Sequence, residues 1–307
     1  MSIGSQIGRN VLRAVASARA PVALVLASLL AYRGLKKRSL SRSGATAAWL
    51  VGFATFLSGF RFGFVLILFY QSSSSLTKFK QEKKKKLEAD FKEGGQRDYA
   101  QVLSCSLIAT VLALIYMCLE GADGPVDWEF WPRRSFLLCA YLGHYACCNG
   151  DTWASELGVL NTTPPFFCLP PFRRVPAGTN GGISVLGTAA SLAAGLFIGF
   201  GYSLLGWVGG VGDFQVGCVL LGGAAGLGGS MLDSLMGAIL QATWYDEDRK
   251  CVVPHANAVT SKKKGVERAK NVGGFDILTG EQVNALSVAV TTFASGWAGR
   301  YFFASSS

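Results

Sequence analysis

The chain is short of charge. Only 16% of its 307 residues are Asp, Glu, Lys or Arg, while half are hydrophobic; soluble domains carry roughly a quarter charged residues. That deficit argues against a water-facing surface of ordinary composition, and the mean hydropathy of +0.34 agrees. Histidine is nearly absent, with two residues, which disfavours a multi-histidine metal site or a histidine-centred triad. The eight cysteines form no CxxC pair and no Cys/His ligand spacing, so a zinc site is not expected. Most of them (Cys105, Cys118, Cys139, Cys147, Cys218) sit inside apolar runs, where a thiol acts as a small hydrophobe. Acidic residues are missing altogether before Glu82.

What is present is a membrane composition with a charge gradient. Residues 1–98 hold 17 Lys/Arg against 5 Asp/Glu, a local +12; the rest hold 12 against 14, a local −2. The basic residues fall in short segments between apolar spans. That pattern reads as the positive-inside signal and attraction to anionic headgroups, and not as a DNA or RNA surface. The 38 glycines suit close helix packing in lipid.

The expected fold is all-α: a polytopic integral membrane helical bundle of about six to eight transmembrane helices, since lipid admits only helices or closed barrels and no segment alternates like a barrel strand. Residues 1–34, with Arg9, Arg13, Arg19 and no acid, read as a signal-anchor or targeting helix. Residues 35–307 read as one polytopic domain with a basic polar loop at 71–98, and an endomembrane location is preferred to a plastid envelope. The apolar stretch 43–70 is interrupted at Ser58–Arg61. It is either one long kinked helix or a tight pair, and the basic clusters at both ends prefer the pair. Further spans are expected at roughly 99–119, 135–150, 181–210, 214–240 and 283–303.

Polar groups at membrane depth are functional candidates, and three stretches qualify. In "GDTWASELG", residues 150–158, helical spacing puts Asp151 and Ser155 on one face, with Thr152, Ser155 and Glu156 on a neighbouring one. That wedge suits a divalent cation held by one or two carboxylates, with water and substrate phosphates completing its shell; helix capping by Asp151 is the alternative. In "RRVPAGTNGGISVLGT", residues 173–188, a Gly-rich turn leads into an apolar helix, the geometry of an anion loop, and equally that of close helix packing. In "LDSLMGAILQ", Asp233, Gly237 and Gln241 form a stripe at i, i+4 and i+8, with the glycine leaving room between two polar groups. Lys78, Lys80, Lys92 and Arg97 are expected at the same membrane face as an anionic substrate. Asn284, at the start of the last span, is a cap, an interhelical hydrogen bond or part of the polar interior.

These stretches, together with "SLSRSGATAAWLVGF", "SSSSLTKFKQEKKKKLEADFKEGGQRDYAQV" and "VNALS", resemble in order the integral membrane family that includes eukaryotic transmembrane protein 19. A more distant branch is similar to the plastid phytyl-phosphate kinase, and beyond it lie the CTP-using phytol and dolichol kinases. The resemblance implies a lipid-bilayer kinase that phosphorylates an isoprenoid-type lipid phosphate from CTP or another nucleotide with Mg²⁺. By carry-over, Asp151, Ser155 and Glu156 belong to the nucleotide–metal site, with Asp233 as a further carboxylate. Gly178, Thr179 and Gly182 form the phosphate loop. Lys78 and Arg97 contact phosphate, and Gln241 and Asn284 complete the polar interior. The Asn-Gly-Gly-Ile-Ser at 180–184 departs from the plant kinase, which has an acidic residue beside its glycine, and residues 249–275 are unlike it. Two other classes use the same residues: a transporter or flippase of a phosphorylated lipid or small anion, and a non-catalytic membrane scaffold.

Overall fold

The computed structural model describes residues 3–79, 96–248, 250–253 and 269–303. The chain opens with α1 (Ile3–Ala16) and α2 (Arg19–Lys36), bent by 63° at Ser17–Ala18. α1 lies against the end of a later helix, where Asn10 donates to the Cys118 carbonyl at 3.0 Å and Gln6 to that of Leu119 at 3.1 Å. The expected N-terminal helix is thus two helices, both packed onto the bundle.

The interrupted stretch resolves as α3 (Arg42–Ser58) and α4 (Phe60–Lys78), broken at Gly59. They form an antiparallel pair. The hydroxyls of Ser39 and Tyr70 are 2.7 Å apart, and Lys78 donates to the Lys37 carbonyl at 3.0 Å, so both outer ends return to one basic side. At the turn, buried Arg61 pairs with Asp123, donates to the Gly124 carbonyl at 2.8 Å and lies over the Tyr202 ring. The polar segment expected as a loop from residue 71 begins as helix: Gln71–Lys78 complete α4. Four serines can be helical there because two of them are bonded to a neighbouring helix, as described below. The basic run Lys83–Lys86, with Lys80 and Lys92, lies outside the described residues.

α5 (Tyr99–Ser104) starts with a capping box between Asp98 and Gln101 and is followed by α6 (Leu107–Leu119). The break between them falls inside the apolar stretch at 99–119, which the sequence reads as continuous. α7 (Pro132–Gly158) is the central helix; Leu137 to Gly150 are all buried, as expected of a helix enclosed on every side. α8 (Val185–Val208), α9 (Val216–Leu240) and α10 (Gly280–Phe302) pack around it.

In lipid, helices gain little from hiding apolar surface, so association rests on close contact between small residues. The clearest case is the α7–α8–α9 crossing. A Cβ added to Gly150 would lie 2.5 Å from the Gly226 carbonyl oxygen, and one on Gly226 would lie 2.7 Å from the Gly195 Cα. Asn149, fully buried, adds polar fastening: its side-chain oxygen accepts from Ser72 at 2.8 Å and Ser73 at 3.1 Å, and its amide donates to Ala194.

Two small sheets cap the bundle at the Asp151 end. β1 (Phe166–Phe167) pairs antiparallel with β2 (Gly182–Ile183). β3 (Thr243–Asp246) lies between β4 (Cys251–Val253) and β5 (Ala269–Gly273), antiparallel to both. The bundle is therefore nearly all-α, with strands confined to the connections. By length and apolarity, α8 and α9 each suffice to cross a membrane, and the bent α1–α2 pair adds a third candidate, among the described residues. The expected six to eight spans are not reached on that measure. α6 has 13 residues, and α7 and α10 carry polar residues that face the interior.

Candidate active site

At the α7 C-terminal end, residues 151, 154, 155 and 158 form one face. This face, the start of α8, the last turns of α9 and the loop 161–184 enclose a cavity of about 280 Å³. Asp151 and Ser155 line it from α7, and Asp233, Gly237 and Gln241 from α9. The i, i+4, i+8 stripe thus faces the same space as the α7 wedge. Asp151 and Asp233 line the same cavity from two different helices. Asp233 accepts from Ser287 at 2.9 Å. Asn284, one turn earlier on α10, turns its amide to the same oxygen, with nitrogen 3.1 Å away when oriented to donate. Asn284 therefore supports Asp233 from behind and does not itself line the cavity.

The loop closes the cavity on a third side through Gly178, Thr179 and Gly182. Buried Thr179 donates its hydroxyl to the Pro176 carbonyl at 2.7 Å, Gly182 donates its N–H to Thr179 at 2.9 Å, and Asn180 donates to Thr243 of β3 at 3.1 Å. Gly181 must be glycine. Its φ is +76°, and a Cβ there would strike Ala238 of α9. The Gly-rich stretch is thus a hydrogen-bonded turn and β2, after which Ser184 caps α8 by accepting from the Gly187 N–H at 3.1 Å. That helix N-terminus, with its positive dipole end, opens onto the cavity.

Besides Asn284, three expected site residues are not on this wall. Glu156 lies five residues beyond Asp151, which a 100° step per residue turns about 140° away from the cavity face. Among the described residues no group of three His, Cys, Asp or Glu side chains could hold a metal ion, so the three-carboxylate set of Asp151, Glu156 and Asp233 does not assemble. Lys78 binds the Lys37 carbonyl. Arg97 lies over the Phe69 ring and pairs its backbone with Ser39 and Ser41. Arg173 and Arg174 secure the loop through the carbonyls of Val272 and Pro164.

Sequence reasoning passed over the hydroxyls. Ser184, Thr188 and Ser191 line the cavity from α8, and Ser230 and Ser234 from α9. Their spacing at i, i+4, i+7 and i, i+4 was a readable polar stripe on apolar helices. The wall described so far contains carboxylates, hydroxyls and loop N–H groups, but no lysine or arginine among the described lining residues. Apart from the Met231 thioether, its side-chain donors to a cation are oxygen, the set that suits a hard divalent ion such as Mg²⁺.

A family described as integral membrane protein DUF92 matches residues 25–292. The chain belongs to this family. Among its relatives, Protein PGR of Arabidopsis thaliana is 39% identical over 92% of this chain and 96% of its own length. A membrane protein of Synechocystis is 32% identical over 68% of this chain and 74% of its own. Protein VTE6, chloroplastic, of Arabidopsis thaliana is 27% identical over 66% of this chain and 56% of its own. No solved structure matches the chain. One relative is named chloroplastic, so the comparisons give the expected endomembrane location no preference over a plastid one.

Proposed function

We propose that the chain is a membrane-embedded phosphotransferase that transfers the terminal phosphoryl group of a nucleotide, CTP by resemblance, to a prenyl-type lipid phosphate. One observation carries the reading. Two carboxylates from different helices, Asp151 and Asp233, share a polar cavity with a Gly-rich loop and the N-terminus of α8, and no basic side chain lines it among the described residues. Paired carboxylates favour a divalent cation and the α8 N-terminus favours a phosphate, so a phosphate substrate fits there together with its metal. Asp151 and Asp233 would hold Mg²⁺, with water and phosphate oxygens supplying its other ligands. When bound, the ion neutralises charge on the phosphates. The VTE6 similarity and the phytyl-phosphate kinase resemblance support the substrate class.

The protein's own share is positioning and electrostatics, which phosphoryl transfer mainly requires. The N–H groups of Gly178 and Gly181 and the α8 dipole orient the nucleotide phosphates; those of Thr179, Asn180 and Gly182 are bonded within the fold. Thr188 and Ser234 offer hydroxyl donors, and Ser155, whose proton goes to the Thr152 carbonyl at 3.0 Å, offers an acceptor oxygen. The acceptor's phosphate oxygen is already ionised at neutral pH and needs no general base. It forms the new P–O bond as the bond to the departing nucleoside diphosphate breaks.

The test is a lipid comparison of cells with and without the protein, joined to a transport measurement. The kinase reading expects prenyl monophosphate to accumulate and diphosphate to fall when the protein is removed. Nucleotide-independent movement of the lipid phosphate in proteoliposomes, with no change in the mono- to diphosphate ratio, would instead establish the transporter reading.

A further inference from the structure

A second cavity, of about 60 Å³, lies between α2, α3, α4 and α5, and the reading above leaves it unused. Its walls are largely apolar, among them Leu40, Val51, Leu66, Phe69 and Val102, and Arg97 is the one charged residue on them among the described residues. A water-sized group needs about 10–15 Å³, so the space takes roughly four to six such groups, about one branched five-carbon unit. Arg97 is half-buried and held in place. Its N–H donates to Ser39 at 3.0 Å, its carbonyl accepts from Ser41 at 2.9 Å, and its guanidinium lies 6.0 Å from the Phe69 ring centre.

The surroundings say which ligand fits. The pairing of Arg97 with Leu40 sets it near the chain segment that holds Arg33, Lys36, Lys37 and Arg38, so basic residues stand close in the chain to the mouth of an apolar slot. The two cavities are also neighbours. Cys105 lines the second, and its carbonyl accepts from His144 at 2.9 Å and from the Cys148 thiol at 3.7 Å. Cys148 precedes Asp151 by three residues on α7, less than one helical turn.

We infer that this slot is the acceptor site: it binds a single-chain lipid monophosphate, with the phosphate on Arg97 and the first chain carbons between α3, α4 and α5. The inference rests on the kinase reading for what happens to the lipid next, and not for the binding itself. It also separates two roles. The carboxylate cavity takes the nucleotide with its cation, and the basic-mouthed slot takes the metal-free lipid phosphate. Arg97 has the fork of donors that matches phosphate.

The experiment uses the full chain in phosphatidylcholine nanodiscs and a farnesyl monophosphate with a diazirine on its first isoprene unit. Photolabelled peptides are mapped by mass spectrometry, with unlabelled farnesyl monophosphate as competitor. Saturable labels on α2, α3, α4 or α5 are expected. Arg97→Ala should raise the half-saturating concentration about tenfold, the loss of a charged hydrogen bond, and should leave labelling by the corresponding alcohol unchanged. Ala48→Phe, which fills the slot, should abolish labelling, with Ala48→Ser as the variant that keeps both fold and labelling. Labels confined to other helices, or an Arg97→Ala curve superimposable on wild type, would overturn the slot. Kinase turnover is read in parallel: turnover with labels elsewhere removes the slot alone, and saturable slot labelling without turnover removes the kinase reading alone.

Discussion

At the residue scale, the cavity is made by side chains whose spacing was readable and whose meeting was not. Asp151 and Ser155, and Asp233, Gly237 and Gln241, each form a stripe visible as helical periodicity. Only the fold brings the two stripes to one space. Glu156 shows the limit of counting: its carboxylate looked equivalent to that of Asp151 but falls on another face of α7. The serines on α8 and α9 were overlooked because hydroxyls in apolar helices commonly bond their own backbone, as Ser191 does to Thr188 at 2.8 Å. The bond from Ser287 to Asp233 marks Ser287 as a positioning residue. Ser287→Ala is expected to raise the Mg²⁺ concentration for half-maximal turnover about tenfold with little change in turnover at saturating Mg²⁺; a metal titration checks this. Gly181→Val should disable the loop through its positive φ and its clash with Ala238, lowering activity at least tenfold. Thermal unfolding of the same variant would show whether the damage stays local.

At the element scale, breaks were harder to read than spans. The basic clusters anticipated the α3–α4 pair, because both ends carry charge that belongs on one side. The division of 99–119 into α5 and α6 had no comparable signal, since neither glycine nor proline stands at Cys105–Ser106. The β3–β5 sheet was likewise illegible: its strands are short and flank a stretch outside the described residues. Two stability predictions belong here. Arg61→Ala leaves the largely buried Asp123 without its ion-pair partner and should cost about 3 kcal/mol; Arg61→Ala with Asp123→Asn should be milder than the single change. Gly226→Leu forces α8 and α9 apart and should cost at least about 1–3 kcal/mol. Detergent-solubilised unfolding curves measure both.

At the scale of the whole molecule, composition alone indicated the membrane, and the family match and the bundle agree. The charge gradient finds its place too, with Lys37, Lys78 and Arg97 gathered at the α2–α3 and α4–α5 ends. The acidic cavity stands at the end of α7 next to them, fastened to α4 by Asn149 and the two serines. In the proposed function, carboxylates in one cavity and Arg97 in its neighbour would bring a cation-bound nucleotide against a lipid phosphate. The measurement closest to that claim is transfer of radiolabelled terminal phosphate from CTP to a prenyl monophosphate by the purified protein, with and without Mg²⁺, beside Asp151→Asn. The expected result is labelled diphosphate from the wild type with Mg²⁺ only, and at least a hundredfold less from Asp151→Asn at unchanged thermal stability. Transfer by Asp151→Asn at the wild-type rate, or none by a folded wild-type protein supplied with CTP, ATP, GTP or UTP in turn, would contradict it.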